Sequence, residues 1–266
     1  MKLFSMNVHG LLGDRERSIL SDFLRTERPS VVALQEVCQT RSEQSVPSGR
    51  IRCLSPQIPL REDNGLPALS KALGEDWHIC YLPVKVGYGT RDEGLAMLCR
   101  FPIGAAWGIP LTPERSYGDW RRRCALAVRG EGRDDLFVCL HTSWWEEGFL
   151  EEWSRLEEAL RAESRVWLLG DLNLPASHAE AEACLHRGGY ADAFDLAECR
   201  QGGVETVRAD ADGWRGRQAE HLLRIDRILC RPARSVSAYR RVLDGVEGGK
   251  ISDHFGVLIE YKEESL

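Results

Sequence analysis

Apolar runs broken at short intervals by polar residues predict many strands and a few helices. Residues 3–8 form an apolar run, and residues 18–26 place Ile19, Leu20, Phe23 and Leu24 on one helical face. Residues 31–37 are again apolar and β-branched at their start. Residues 38–70 follow, rich in Pro, Ser, Gly and charge, with little periodicity. A loop of that length in a compact domain is usually functional or mobile. Further strands are predicted at 77–86, 94–100, 105–111, 124–129 and 136–142. Phe149, Trp153, Leu156 and Leu160 recur at i, i+4, i+7 and i+11 among Glu and Arg, which is the clearest amphipathic helix. Residues 166–169 read as a buried strand and 178–187 as a helix ended by Gly188-Gly189. Strands at 223–230, 235–242 and 255–261 close the chain. No repeat or linker divides it, so residues 1–266 are expected to form one α/β domain, two packed sheets with helices outside.

Composition narrows the function classes. With 35 basic and 41 acidic residues the net charge is −6, which argues against a protein held on nucleic acid mainly by counterion release, though not against a local basic groove. A hydrophobic share of 43% supplies a sizeable core and rules out disorder. The longest apolar runs, such as 31–34 and 166–169, fall far short of a membrane span, and the N-terminus lacks a signal-peptide pattern. The nine cysteines are odd in number, contain no C-x-x-C and lie partly inside apolar runs. That is the usage of a reducing compartment, with buried thiols rather than a disulfide frame or zinc site, so a cytoplasmic location is expected.

Strand after strand stops at an acid, amide or imidazole. Asn7 and His9 follow the first run, Glu36 follows 31–34 through Gln35, and His141 ends 137–140. Gly170-Asp171-Leu172-Asn173 follows 166–169, Asp226 interrupts 222–230, and Asp253-His254 precedes the last strand. Taken singly, Asn7, Asn173 or Asp253 reads as turn chemistry and His254 as a structural histidine. Asp226 differs, because an acid inside a buried run needs a partner. Together these groups form an oxygen-rich inventory suited to Mg²⁺ or Mn²⁺, at strand ends where ligands collect.

In this order the set resembles the endonuclease/exonuclease/phosphatase superfamily of metal-dependent phosphoesterases. The resemblance runs from Asn7 through Leu34-Gln35-Glu36-Val37, residues 94–103, His141, Gly170-Asp171-Leu172-Asn173, residues 225–229 and Ser252-Asp253-His254. It implies a four-layer α/β/β/α sandwich of two mostly antiparallel sheets flanked by helices, with the site where the sheets meet. By resemblance Glu36 binds the metal, Asn7 supports metal or phosphate, and Asp253 is a further metal ligand. Asp171 positions or deprotonates the water, with Asn173 beside it. His254 faces the phosphate, oriented by Asp226, and His141 contacts the phosphoryl oxygens. Residues 88–94, 119–123, 143–149 and Asp212-Gly213-Trp214 look like the bacterial branch that includes maltose 6′-phosphate phosphatase. The segment 46–73 matches no pattern and is a candidate substrate region.

Phosphate-monoester hydrolysis can require acceleration of roughly 10²¹-fold, while one general base supplies about 10²–10⁴. A cation and several fixed donors must therefore act together. Arg121-Arg122-Arg123 reads either as a solvated run or as a source of phosphate forks, with Arg121 and Arg123 the candidates. Trp144 and Trp145 read as core or, for one of the pair, as site wall; with Trp120 and Trp214 they could offer a flat surface to a sugar or a base. The expected activity is a Mg²⁺- or Mn²⁺-dependent phosphatase acting on a small phosphorylated metabolite, a sugar phosphate before others. A nuclease acting on DNA or RNA is the alternative, and a non-catalytic binding protein is a third. No membrane partner is expected, and oligomeric state is not legible.

Overall fold

The structure, a computed structural model, describes residues 1–211, 213–217 and 222–263. Its first half comprises β1 (Lys2–Gly10), α1 (Asp14–Glu27), β2 (Val31–Thr40), β3 (Ile51–Cys53), α2 (Gly65–Leu73), β4 (His78–Gly87), β5 (Arg91–Cys99) and β6 (Ile103–Pro110). Then come β7 (Cys124–Gly130), β8 (Leu136–His141), α3 (Phe149–Ala159), β9 (Val166–Asp171), α4 (Ala179–Arg187) and β10 (Ala191–Asp192). The chain closes with α5 (Ala193–Leu196), β11 (Ala197–Gln201), β12 (Asp226–Arg231), β13 (Val236–Val242) and β14 (Gly256–Tyr261).

Eight strands form one sheet in the order β11-β13-β14-β1-β2-β5-β4-β3, and six form the other, β10-β12-β9-β8-β7-β6. Antiparallel pairs predominate, with β1–β2, β3–β4, β8–β9 and β11–β13 parallel. Side chains alternate between the faces of a strand, and here both faces are covered, which explains the near-continuous apolar runs. Leu3, Val31 and Met97 point into the inter-sheet core with Phe137, Trp167 and Ile228. Their neighbours Phe4, Val32 and Leu98 pack outward beneath Leu20, Leu24, Leu66 and Leu69 of α1 and α2. On the far side Val138 and Leu168 pack against Phe149, Trp153, Leu156 and Leu185 of α3 and α4. The order helix, sheet, sheet, helix is the expected sandwich.

Several boundaries depart from the periodicity. The unpatterned stretch 38–70 contains the end of β2, β3 and the start of α2. Asn64 caps α2 by accepting the Leu66 N–H at 2.9 Å, and Gln39 pins the preceding loop, donating to Pro59 O at 2.8 Å and accepting from Arg61 N at 3.0 Å. The expected strand 223–230 begins only at Asp226; Leu223 and Ile225 instead join a small cluster with Val207, Ala211 and Trp214. Among the described residues no helix is long and apolar enough to cross a membrane.

Candidate active site

Strand register assembles the site. His141 pairs with Asp171 across β8–β9, and Asp171 pairs with Asp226 across β9–β12, so three predicted residues stand in one row at the end of the six-stranded sheet. Gly170 lets β9 approach closely: a Cβ there would lie 2.0 Å from Leu140 O. In the facing sheet the β1–β2 ladder slips between Asn7 and Gly10, β2–β5 slips between Leu34 and Val37, and β4–β5 slips between Pro83 and Lys85. Bulges of this kind re-aim side chains. They turn His9, Glu36 and Lys85 toward a cleft of about 270 Å³ that also exposes Asp171 and His254. His9, Glu36 and Asn173 have φ of 45°, 53° and 48°. A left-handed backbone costs of order 1–3 kcal/mol at a non-glycine residue and gathers at functional sites.

Asn7 ties the two sheets together. Its Nδ2 donates to Glu36 Oε1 at 2.9 Å and to Asp171 Oδ2 at 3.1 Å. Asp171 Oδ1 accepts the Asn173 N–H at 2.9 Å, and Asn173 Nδ2 donates to Thr142 O at 3.0 Å. Burial pushes the Asp171 carboxyl up to about 6, with the nearby Asp226 charge adding to the shift and His254 opposing it. His254 Nδ1 lies 2.9 and 3.1 Å from the Asp226 oxygens, and its Nε2 lies 3.8 Å from Asp171 Oδ2. Burial alone would lower the imidazole pKa, but Asp226 and then Asp171 lift it to about 10, so His254 is a cation at neutral pH. His141 goes the other way: burial, with Arg123 and Lys85 nearby, holds it well below its ordinary value, and it is neutral.

The predicted metal residues are near one another without all touching. Glu36 Oε2 accepts from the Tyr88 hydroxyl at 3.2 Å and lies 3.6 Å from His9 Nδ1, which is 3.5 Å from Asp253 Oδ1. No cysteine lines the cleft. Carboxylates, an amide and imidazoles without thiolate are the donor set of a hard or borderline divalent cation, so Glu36, Asn7 and Asp253 fit one. A different trio, Asp171, Asp226 and His254, places its ligand atoms within 4.8 Å of one another. Asp226 and His254 already satisfy each other there, and a cation would have to break a buried ion pair. We therefore read that trio as an oriented, charged imidazole.

The structure separates the substrate-binding candidates. Arg123 is 7% exposed, lines the cleft, and has Nε and Nη1 without a hydrogen-bond partner. Arg121 does not reach the cleft, because its guanidinium folds back on Asp119 at 3.1 Å and lies against Trp120. Arg122 is spent on Val84 O and the Tyr117 ring. Trp144 lines the cleft and stacks on Trp214 at 4.2 Å between ring centroids. Gly213, at φ 80°, leaves room for that stack; a Cβ there would meet Trp144 at 2.8 Å. Trp145 does not line the cleft: it opens a short 3₁₀ turn and packs on His178 and Phe149 beside α3. The expectation that one of the pair walls the site did not say which, and neither tryptophan lies in a strand. Asp212 lies outside the described residues.

Lys85 and Glu93 carried no role in the sequence reading. They form a buried ion pair at 3.2 Å, and Glu93 Oε1 lies 3.8 Å from His141 Nδ1. The available signal was a lysine and a glutamate in buried strands, which need partners. No residue of the segment 46–73 lines this cleft.

The profile of the Endonuclease/Exonuclease/phosphatase family matches residues 4–254. No curated protein matches the chain. Among solved structures, an endonuclease/exonuclease/phosphatase family protein from Leptotrichia buccalis superposes with a TM-score of 0.83 at 22% identity, covering 99% of this chain and 100% of that one. A mannosyl-6-phosphatase from Bacteroides thetaiotaomicron (TM-score 0.67, 19% identity) and a 3′ phosphatase from Neisseria bound to a product DNA hairpin (0.67, 20%) are each covered over 100% of their length by 99% of this chain. At these identities the likeness shows the fold alone.

Proposed function

The chain belongs to the endonuclease/exonuclease/phosphatase family, whose members hydrolyse phosphoesters, and from that premise we propose a phosphatase of small phosphorylated metabolites, in first place a sugar phosphate. The observation that carries this reading is Arg123, buried with two unpartnered guanidinium nitrogens beside an aromatic-walled cleft of about 270 Å³. A buried arginine lacking part of its hydrogen bonding is matched by a phosphate, which accepts from its planar fork. The volume lies just below the range of about 300–1,000 Å³ of ligand pockets, and suits a monosaccharide phosphate better than an extended strand. Trp144 and Trp214 form one wall, with Trp120 at the mouth. The Bacteroides neighbour is named for a phosphorylated mannose, in keeping with this reading.

Glu36, Asn7 and Asp253 would hold Mg²⁺ or Mn²⁺, which when bound supplies charge neutralisation at the phosphoryl oxygens. Asp171, raised toward neutrality, accepts the proton of the attacking water. Its Oδ1 is fixed by the Asn173 backbone and its Oδ2 by Asn7, which keeps the carboxylate aimed. His254, charged and held by Asp226 through Nδ1, turns Nε2–H toward the charge developing on the transferring group. Neutral His141 and the spare amide hydrogen of Asn173 add donors. Among the described residues no activated serine or cysteine calls for a covalent intermediate.

All nine cysteines are free and only Cys199 is exposed, which supports the cytoplasmic placement within this proposal. The test is kcat/KM on a panel of sugar phosphates beside single- and double-stranded DNA and RNA in one physiological-salt buffer. Sugar phosphates should be preferred, and exhaustive chelation should abolish turnover. Efficient cleavage of an oligonucleotide with no phosphosugar turned over would move the assignment to a nuclease, the activity for which a similar structure from Neisseria meningitidis, a 3′-5′ exonuclease, is named.

A further inference from the structure

His9 enters the cleft at the β1 bulge, its N–H donating to Asn7 Oδ1 at 3.1 Å. The amide that spans Glu36 and Asp171 thus also sets where His9 begins. Its ring stands edge-on to Tyr88 at 6.1 Å, and the Tyr88 hydroxyl donates to Glu36. So held, Nδ1 faces Asp253 Oδ1 at 3.5 Å and Glu36 Oε2 at 3.6 Å. These separations are at or beyond the limit of a hydrogen bond. They approach the spacing of about 3 Å between adjacent ligands on one octahedral ion with bonds near 2.1 Å. Two carboxylates in front of the nitrogen repel an anion and attract a cation, so this side of the cleft does not suit a phosphoryl oxygen. Arg123 and Lys85, which would suit one, lie on the β4–β5–β7 side.

We propose that His9 Nδ1 is itself a ligand of the divalent cation, with Glu36 and Asp253, and that the mixed nitrogen–oxygen site prefers Mn²⁺ to Mg²⁺. This rests on the metal-dependent reading above and adds to it a ligand and a selectivity. Mg²⁺ is hard, demands near-ideal oxygen octahedra and sheds water reluctantly. A neutral imidazole is a softer donor and shifts the balance toward a transition-metal ion.

The experiment is electron paramagnetic resonance with spin-echo modulation on Mn²⁺ added to the full chain, together with Mn²⁺/Mg²⁺ competition. Coupling to ¹⁴N is expected in the wild type and should vanish in His9→Asp, which keeps an oxygen ligand and tolerates the left-handed backbone. The Mn²⁺/Mg²⁺ affinity ratio should fall about tenfold in that variant, because a hard oxygen replaces the softer nitrogen that favours the transition-metal ion. His254→Asn and His141→Asn should keep the coupling. Coupling that survives His9→Asp and disappears in either of those variants would overturn the inference. So would Mn²⁺ bound with no nitrogen coupling in the wild type, which would leave the cation itself standing. Failure of Mn²⁺ to bind at all would remove the cation and the inference together.

Discussion

Asp171 and Asp226 stand directly opposite each other in the β9–β12 ladder, two buried carboxylates in a cross-strand pair. Like charges so placed are destabilising. His254 reconciles them, bonded to Asp226 through Nδ1 and turned toward Asp171 through Nε2. The two acids thereby take different roles, one holding the imidazole and the other left with a raised pKa.

The first prediction follows from that division. Asp226→Asn and His254→Ala should each lower kcat by about 10²–10⁴. The double variant should be little worse than either, because the pair acts as one unit. A double-mutant cycle on kcat/KM measures this, and simple multiplication of the defects would contradict the pairing.

Asp171→Asn should remove most activity and leave the fold in place. The amide keeps an oxygen for the Asn173 N–H but loses the charge and the capacity to take a proton. A loss of about 10²–10⁴ in kcat with a melting temperature within a few degrees of wild type is expected. A defect of no more than a few fold would return Asp171 to an ordinary turn residue.

The tryptophan neighbours should behave differently. Trp144→Ala should raise KM for the sugar phosphate about tenfold, equivalent to about 1.4 kcal/mol of binding. Trp145→Ala should leave KM alone and cost about 1–3 kcal/mol of stability, through lost packing on Phe149 and His178. Kinetics and denaturant unfolding on both variants decide the matter, and a KM defect confined to Trp145→Ala would contradict the placement.

Acid stability should report on a buried network away from the cleft. Asp192 accepts from Arg224, from Arg227 Nε at 2.6 Å and from the Phe194 N–H at 2.8 Å. Burial alone would raise its pKa, but Arg227 and Arg224 hold it below the usual value. A depressed carboxyl stabilises the fold above its unfolded pKa of about 3.9, and that contribution is lost as pH falls through the lower folded value. Asp192→Asn should cost about 3–5 kcal/mol at pH 7, and the gap to wild type should narrow in strong acid. Urea unfolding of both proteins at neutral and acidic pH measures it; a gap independent of pH would show that the charge is not what Asp192 contributes.

Much was legible because burial writes itself into a chain. Runs such as 31–34, 136–140 and 166–169 are apolar because both faces of those strands are covered, and α3 repeats every third or fourth residue because one face is. Asn7, Glu36, His141, Asp171 and His254 stood out only as an ordered set at strand ends that resembles a family, and Asp226 because an acid within a buried strand needs a partner.

What the sequence by itself determined, then, is the long strands but not the short β3, β10 and β11, the helices α1, α3 and α4, and the polar groups at strand ends. Tertiary structure alone decided which of these meet, because cleft lining depends on register, bulges and loop paths that leave no periodic trace. Trp144 and Trp145 are adjacent and chemically alike, yet a turn sends one onto Trp214 and the other onto His178. Arg121 and Arg123 differ only in what the fold sets beside them, Asp119 for the first and the buried cleft for the second. Lys85 and Glu93 became a pair only when a one-residue slip between β4 and β5 set them side by side. Local propensity records whether a side chain is buried; the register of distant strands decides what it faces.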